Sequence, residues 1–155
     1  MLFYLTILRR LFPYASLLII ALLVSSCSAT KYVPEEEYML NNYRIESGDG
    51  EYDKRELDNY IKQKPNKKIF FWRFYLSLYN LSSPGRENGF QNWLRRIGEP
   101  PVVYDQMLKE KSTEQLQLFM QNKGFYEAVV TDTTILNDGR RRAKVVYNVT
   151  PNQPY

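Results

Sequence analysis

The sequence contains no histidine and only one cysteine, Cys27. One cysteine cannot form a disulfide within the chain, and without histidine the usual zinc-ligand sets are incomplete. Histidine is also the commonest catalytic base, and an activated cysteine is a common nucleophile. We therefore predict that the protein is not an enzyme and that it holds no metal or cofactor, apart from a group attached covalently at Cys27.

Long apolar runs are also scarce, and the longest lies near the N-terminus. Two arginines at positions 9 and 10 precede an uncharged, mostly apolar stretch from Leu11 to Val24, and two serines follow it. This order is typical of a secretory signal, with a basic start, an apolar centre and a small-residue cleavage site. A transmembrane helix is the alternative, but a bilayer needs about 20 apolar residues. We predict that residues 1–26 are a signal peptide.

Cys27 follows directly, in the stretch Val24-Ser25-Ser26-Cys27. This stretch resembles the lipobox of bacterial lipoproteins, in which the cysteine thiol receives diacylglycerol and the bond before it, here Ser26 to Cys27, is cut. Each buried methylene contributes about 0.8 kcal/mol, and more than one acyl chain is needed for stable anchoring. We expect a lipid at Cys27. A free cysteine that merely falls in the signal is the alternative.

The residues after Cys27 bear on location. No acidic residue occurs before Glu35. In lipoproteins, an aspartate just after the cysteine is associated with retention in the inner membrane, and acidic clusters with export to the cell surface. Their absence favours an outer membrane, with the protein on its periplasmic face.

Charge of either sign is weakly clustered. Removing residues 1–26 leaves 129 residues and lowers the formal net charge from +4 to +2, which is weak support for nucleic-acid binding. The triplet Glu35 to Glu37 can bind a cation or be a solvated tether, and Arg140 to Arg142 can contact phosphate or be a solvated hairpin end. We favour the solvated interpretation in both cases.

Periodicity in the mature chain predicts strand, helix, helix, strand, strand. The first strand, YMLNNYRIES, places Met39, Tyr43 and Ile45 on one face. A helix is expected to begin at Asp53, with Glu56 completing a capping box, and to end before Pro65. The apolar positions on its buried face are Leu57, Tyr60 and Ile61.

The second helix and the last two strands follow the same reasoning. Ser112 is the predicted N-cap and Gly124 the C-terminal cap, and Leu116, Phe119 and Met120 form the buried stripe. Phe125 to Leu136 predicts a strand, followed by the hairpin signal Asn-Asp-Gly. The third strand alternates Ala143, Val145, Tyr147 and Val149 on one face, which suits a central position in the sheet. One sheet face can thus be buried under two helices in a two-layer α+β domain, residues 38–150.

Residues 66–104, here called the insert, separate the two predicted helices and are rich in aromatics. The insert is either additional core or a surface for lipid or a partner protein, because aromatics beside lysines and arginines suit a membrane interface. The candidate residues for such a surface are Phe71, Trp72, Tyr75 and Trp93.

Three features together resemble a POTRA domain, the polypeptide-transport-associated module. They are the order of elements, the stretch NKGFYEAVV with its glycine and aromatic pair, and VVYNVTPNQPY, where Val149-Thr150-Pro151 matches a strand-ending motif. The resemblance implies a β-α-α-β-β fold with a three-stranded mixed sheet. More specifically, the lipobox, KYVPEEEYMLNNYRI, QKPNKKIFFWRFYLSLYNL and NWLRRIGEPPVVYD are similar to the N-terminal region of translocation and assembly module lipoproteins, relatives of the outer-membrane assembly proteins BamA and TamA.

This resemblance sets the expected organisation. Residues 27–37 are a lipidated tether, and residues 151–155 begin a linker to a following domain. Family members carry several POTRA domains and a membrane barrel, so we expect this chain to be a fragment or a truncated product.

The resemblance also implies a mechanism, β-augmentation, in which a client strand adds to an exposed sheet edge. The predicted binding edge is the second strand, with Tyr126, Ala128, Val130 and Asp132. The expected partners are outer-membrane protein clients, assembly partners and membrane lipid, not nucleic acid. The alternatives are that this edge is covered and binds nothing, or that the protein is a stand-alone envelope lipoprotein that docks a partner through the insert.

Overall fold

The computed structural model describes residues 29–48, 52–70, 72–83 and 85–152. The predicted signal peptide, Ser26, Cys27, Phe71 and the last three residues of the predicted linker lie outside these ranges. Within them, no helix combines the length and apolarity that crossing a bilayer requires.

A three-stranded sheet forms one layer of the domain. Its strands are β1 (Met39–Ser47), β2 (Val129–Asn137) and β3 (Arg142–Thr150). β3 lies in the centre, parallel to β1 and antiparallel to β2. The predicted mixed sheet, the hairpin and the central third strand are confirmed.

Helices form the other layer and the insert. A 3-10 helix at Glu56–Tyr60 is followed by α1 (Phe74–Leu81), α2 (Gly89–Ile97) and α3 (Gln106–Asn122). The molecule is therefore α+β, as predicted from the sequence. Among the described residues, α1 and α2 both lie within the insert.

Alternation along β3 determines which face of the sheet is buried. Ala143, Val145, Tyr147 and Val149 are all buried, and the residues between them are partly exposed. Burying a side chain of the size of valine or larger contributes about 1.5–3 kcal/mol. The strand β3 therefore stabilises the domain mainly through its buried face, which packs against the helices.

β1 departs from simple alternation at its start. The register with β3 shifts between Leu40 and Asn42, so Met39 and Leu40 are both buried. Leu40 joins the main core, whereas Met39 packs with Val33 in a separate cluster. The predicted shared face of Met39 and Tyr43 is wrong because the extra residue at the bulge reverses the phase of the strand.

The N-cap of α3 lies seven residues before the predicted one, at Asp105. The Asp105 carboxylate caps the helix by accepting hydrogen bonds from the N–H groups of Met107 (2.8 Å) and Leu108 (3.1 Å). Ser112, the predicted cap, lies inside the helix, where its hydroxyl donates to the Leu108 carbonyl and accepts from the Lys62 N–H. Ser112 was mistaken for a cap because a serine whose buried hydroxyl joins two segments cannot be told from a capping serine by residue type.

The C-terminal end of α3 follows the prediction. Gly124 has a φ of +92°, and its N–H donates to the Gln121 carbonyl at 3.0 Å. The N–H of Phe125 donates to the Met120 carbonyl at 3.0 Å. This pair of bonds is the Schellman motif, which requires a left-handed residue and so favours glycine.

The first predicted helix is a single 3-10 segment. Leu57 is buried as expected, but the capping box does not form. Asp53 instead accepts from the N–H of Arg55 at 2.9 Å, and the Glu56 carboxylate pairs with Lys123 at 2.9 Å. Glu56 is thus used to connect this segment to the end of α3.

α1 and α2 pack against each other within the insert. Leu76 of α1 and Leu94 of α2 are buried. Gly98, directly after α2, lies so close to α1 that a Cβ atom would stand 2.6 Å from the backbone nitrogen of Tyr79. A residue without a side chain is therefore needed at this crossing.

Candidate functional site

The outer edge of β2 is an open edge of the sheet. β2 pairs only with β3 among the described residues. The Val130 N–H bonds to a side chain of α3 and so points away from β3. Because direction alternates along a strand, the backbone groups of Asp132, Thr134 and Leu136 point to the same open side.

A glutamine side chain occupies the beginning of this edge. The Gln117 amide nitrogen donates to the Ala128 carbonyl at 2.7 Å, and its amide oxygen accepts from the Val130 N–H at 3.0 Å. This pair of bonds is the one a neighbouring strand would make with two backbone groups on the same side of β2. The edge is thus able to hold an amide in the sheet plane, and the stretch after Val130 is left for another strand.

Two of the four predicted edge residues lie outside the strand. Tyr126 and Ala128 belong to the turn before β2, in which the Ala128 N–H donates to the Phe125 carbonyl at 3.1 Å. Ala128 is buried and Tyr126 is exposed. The predicted start of the strand at Phe125 is wrong because the Schellman motif of α3 uses the backbone of that residue.

The other two, Val130 and Asp132, are in β2 but point towards α3. The Asp132 carboxylate forms a 2.5 Å ion pair with Lys109, with both side chains about 15% exposed, and accepts a hydrogen bond from Thr113. Burial lowers the pKa of Lys109, but the Asp132 carboxylate more than offsets it, so that pKa is raised. A strand added to β2 would meet the side chains on the opposite, exposed face of β2, which are Val129, Thr131, Thr133 and Ile135.

The edge of β1 is covered at its beginning by the end of the insert. The Leu40 N–H donates to the Val102 carbonyl at 2.7 Å, and Met39 forms a bridge with Val103. The Arg73 guanidinium donates to the backbone and side-chain oxygens of Asn41. Burial, and to a lesser extent Arg142 nearby, lowers the pKa of Arg73. The insert therefore covers the beginning of the β1 edge and leaves β2 open, so the predicted alternative of a β2 edge covered by the insert is not what the described residues show.

The insert displays most of its large apolar side chains to solvent. Trp72 and Trp93 are 49% and 44% exposed, and Tyr75 is half-buried. Phe90 stacks on Trp93 with ring centroids 6.0 Å apart. Both tryptophans were predicted as surface residues, whereas Phe90, Ile97 and Phe70, which are also exposed, were not among the predicted ones. Phe90 and Ile97 could have been found from their helical spacing with Trp93, which places the three residues along one face of a helix.

The predicted tether is held against the domain in its described part. Thr30 and Val33 are buried. The Arg141 guanidinium donates to the carbonyls of Thr30 (3.0 Å), Val33 (3.0 Å) and Pro34 (3.1 Å). The interpretation of the arginine triplet as a solvated hairpin end is therefore wrong at its central residue.

α1 holds the same segment from the other side. The Lys31 ammonium donates to the Asn80 carbonyl at 3.0 Å, and the Tyr32 hydroxyl donates to the Ser82 carbonyl. The Tyr32 and Tyr79 rings meet edge to face at 5.6 Å. The glutamates at 35–37, in contrast, are all exposed, and no cluster of metal-ligating side chains occurs in the part of the chain that the structure describes.

These features agree with one family of sequences. The family model described as POTRA, surface antigen variable number repeat, matches residues 38–152. A search of curated proteins finds no match. POTRA domains are non-enzymatic modules that bind protein partners or substrates in outer-membrane assembly and translocation. The match extends over the whole sheet, α3 and the insert, and the chain belongs to the POTRA family.

Proposed function

We propose that this chain is the lipid-anchored POTRA module of an outer-membrane protein assembly machine of the translocation and assembly module type. It faces the periplasm and binds client or partner strands by β-augmentation. The observation that carries the proposal is the open edge of β2, where the Gln117 amide already makes the two hydrogen bonds of an added strand.

The chemistry of this binding is that of the backbone. An extended client segment would pair with the outward N–H and C=O groups of Asp132, Thr134 and Leu136, which are available whatever the client sequence is. The exposed side chains of Thr133 and Ile135 would then contact those of the client across the sheet surface. Such binding suits a module that handles many unfolded barrel proteins, because main-chain bonds give affinity without demanding a particular sequence.

A proline exchange tests the edge directly. Leu136→Pro removes the outward N–H and places a ring at the open edge, while the ladder to β3 uses the alternate residues. Leu136→Ser is the matched control, because it removes the same side chain and keeps the N–H. A photo-crosslinker at Ile135 is expected to capture a urea-unfolded outer-membrane barrel protein in the parent and in Leu136→Ser, and not in Leu136→Pro.

The same experiment can also refute binding at the β2 edge. A crosslinker at Leu118, which is exposed on α3, should capture no client. If Leu136→Pro folds with an unchanged circular dichroism spectrum and still captures the client through Ile135, binding does not use this edge and the proposal of β-augmentation is wrong.

The anchor is proposed from the lipobox at Ser26-Cys27, which lies outside the described residues. Labelling with radioactive palmitate should be present in the parent chain and absent in Cys27→Ala. Fractionation of the labelled cells should place the parent with outer-membrane markers. Label that persists in Cys27→Ala would contradict lipidation at this residue.

One observation favours a second candidate, a stand-alone envelope lipoprotein that docks a fixed partner protein through the insert. Both tryptophans of the insert are about half exposed. Crosslinkers at positions 72 and 93 distinguish the two candidates. Capture of one fixed protein from these positions, with no client captured from Ile135, would favour the second.

A further inference from the structure

Eight large apolar side chains of the insert are exposed. They are Ile69, Phe70, Trp72, Phe74, Leu81, Phe90, Trp93 and Ile97, and we call this set the insert surface from here on. Proteins in water rarely expose so many large apolar residues in one short segment unless the surface meets a partner or a membrane. The question is which of these covers it.

α2 shows the pattern most clearly. Phe90, Trp93 and Ile97 follow helical spacing and form an exposed stripe, while Leu94 at the edge of that stripe is the one apolar residue buried. A helix in a globular protein normally turns its apolar stripe to the core. An apolar stripe that faces water, with arginine beside it, is the arrangement of helices that lie in a membrane interface.

A tight turn next to α1 displays a second part of the surface. Ile69 and Trp72 exchange two backbone hydrogen bonds, of 2.8 and 3.0 Å. Phe70 between them has a φ of +57° and is 95% exposed. The left-handed conformation costs a residue with a side chain about 1–2 kcal/mol. The turn therefore adopts an unfavourable backbone conformation that holds an aromatic ring in the solvent.

The charge around these side chains has one predominant sign. Residues 66–104 contain six lysines and arginines and two glutamates, a net charge of +4 that equals the formal charge of the whole chain. Within residues 29–48, 52–70, 72–83 and 85–152, no ion pair involves the insert cations. Arg96 and Trp93 line the same shallow cavity. Unpaired cations among aromatics complement an anionic lipid surface.

The route of the chain places the N-terminal anchor beside the insert. The Asn80 side chain of α1 bonds to the Ala29 carbonyl at 3.4 Å, and Lys31 and Tyr32 bond to the end of the same helix. Only one residue separates Ala29 from Cys27, so at full extension their Cα atoms are at most about 7 Å apart. Because α1 has eight residues, it is only about 12 Å long. An anchor at Cys27 would therefore bring the whole α1–α2 pair to the headgroup region.

We propose that the insert surface is a membrane-docking surface that lies in the headgroup region of an anionic phospholipid bilayer and orients the POTRA sheet on the membrane. The inference rests on the membrane anchor proposed above, because the anchor supplies the high local concentration of lipid. Docking would hold the domain in one orientation, so that the open edge of β2 has a defined direction relative to the membrane.

The chain carries its own probes for a test. Its two tryptophans, Trp72 and Trp93, both belong to the insert surface, so Trp93→Phe and Trp72→Phe each leave one reporter. The lipidated full chain is reconstituted in vesicles of phosphatidylethanolamine and phosphatidylglycerol at 3:1, with or without lipid brominated near the headgroup end of the acyl chains. We expect both reporters to shift to shorter emission wavelengths and to lose fluorescence in the brominated vesicles.

Variants of the surface make the expectation quantitative. Phe70→Ser should lower the ratio of docked to undocked protein by about tenfold or more, the equivalent of burying one aromatic side chain. Lys68→Gln and Arg96→Gln should each lower it roughly fivefold in these vesicles, and have little effect in phosphatidylcholine alone. Leu118→Ser, which removes an exposed apolar side chain outside the insert, is the control and should leave the quenching unchanged.

The anchor and the docking surface are measured separately. Flotation with the vesicles reports the anchor, and bromine quenching reports the insert. If the protein floats but iodide in the buffer quenches both tryptophans while brominated lipid quenches neither, the docking inference is wrong and the anchor stands. If the protein does not float at all, the anchor proposal fails first. If a partner protein, and not lipid, covers the two tryptophans, the inference is likewise wrong.

Discussion

Arg141 is the residue on which we expect a single exchange to separate the N-terminal segment from the domain. It lies at the end of the β2–β3 hairpin with a φ of +46°, and its guanidinium donates to three carbonyls of residues 30–34 at 3.0 to 3.1 Å. Arg141→Ala removes all three bonds without changing the backbone conformation that the turn requires.

The magnitude follows from those bonds. A hydrogen bond in a folded protein contributes about 0.5–1.5 kcal/mol net, and one from a charged donor somewhat more. Because Arg141 is only partly buried, we take about 1 kcal/mol for each of its three bonds, or about 3 kcal/mol in total. A loss of this size raises the open fraction of the segment by roughly two orders of magnitude, since 1.4 kcal/mol corresponds to a factor of ten.

Native-state hydrogen exchange, read by mass spectrometry on a peptide covering residues 29–40, measures the opening. The Val33 amide, which donates to the Thr30 carbonyl at 3.2 Å, should lose protection in Arg141→Ala. Arg140→Ala is the matched control, because it removes the same charge from the neighbouring position, which is exposed. Equal exchange in the two variants would show that the guanidinium does not hold the segment.

Three further predictions concern stability. Gly98→Ala should lower the free energy of unfolding by about 1–3 kcal/mol, because its Cβ would meet backbone atoms of α1. Gly89→Ala is the control and should be neutral or slightly stabilising, because its Cβ would have no neighbour within 4 Å. Urea unfolding measures the free energy of unfolding of both variants. Asp132→Asn should cost about 3 kcal/mol because it leaves the largely buried Lys109 without its carboxylate, and adding Lys109→Met should restore most of that loss in the same assay. The Lys64 ammonium and the Tyr43 hydroxyl hold the pKa of Asp58 below its ordinary value; this contribution is complete above the unfolded-state pKa of about 3.9 and is lost as the pH falls through the lower folded-state pKa. Unfolding curves should therefore show the advantage of the parent over Asp58→Asn shrinking as the pH falls from about 4 through the lower folded-state pKa, and an advantage independent of pH would contradict this.

The sheet was predictable because its signals are local. Alternation over Ala143 to Val149, the hairpin signal after Leu136 and the glycine at position 124 each reflect the geometry of a few neighbouring residues. Their positions in the structure agree with those signals. The order of strands with β3 in the centre followed from the resemblance and from the apolar face of that strand.

The helix starts were mispredicted for a common reason. Ser112 and Asp53 both have the residue type of a cap, but the Ser112 hydroxyl accepts from the N–H of Lys62, distant in sequence, and the Asp53 carboxylate accepts from the N–H of Arg55. Glu56, expected to complete the second cap, pairs with Lys123 far along the chain. Capping signals identify a residue that can satisfy a backbone N–H, but tertiary contacts decide which partner it finds.

The sequence by itself determined the class of this protein: an α+β POTRA domain with one buried sheet face, interrupted by an aromatic insert. Only the tertiary structure decided that the edge of β2 is open, that Arg141 binds the N-terminal segment, and that Phe70, Phe90 and both tryptophans of the insert are exposed to solvent. The reason is physical. Periodicity and turn residues depend on neighbours in the chain, whereas the partner of a guanidinium, an edge amide or an aromatic ring depends on residues that are distant in sequence and meet only in the fold.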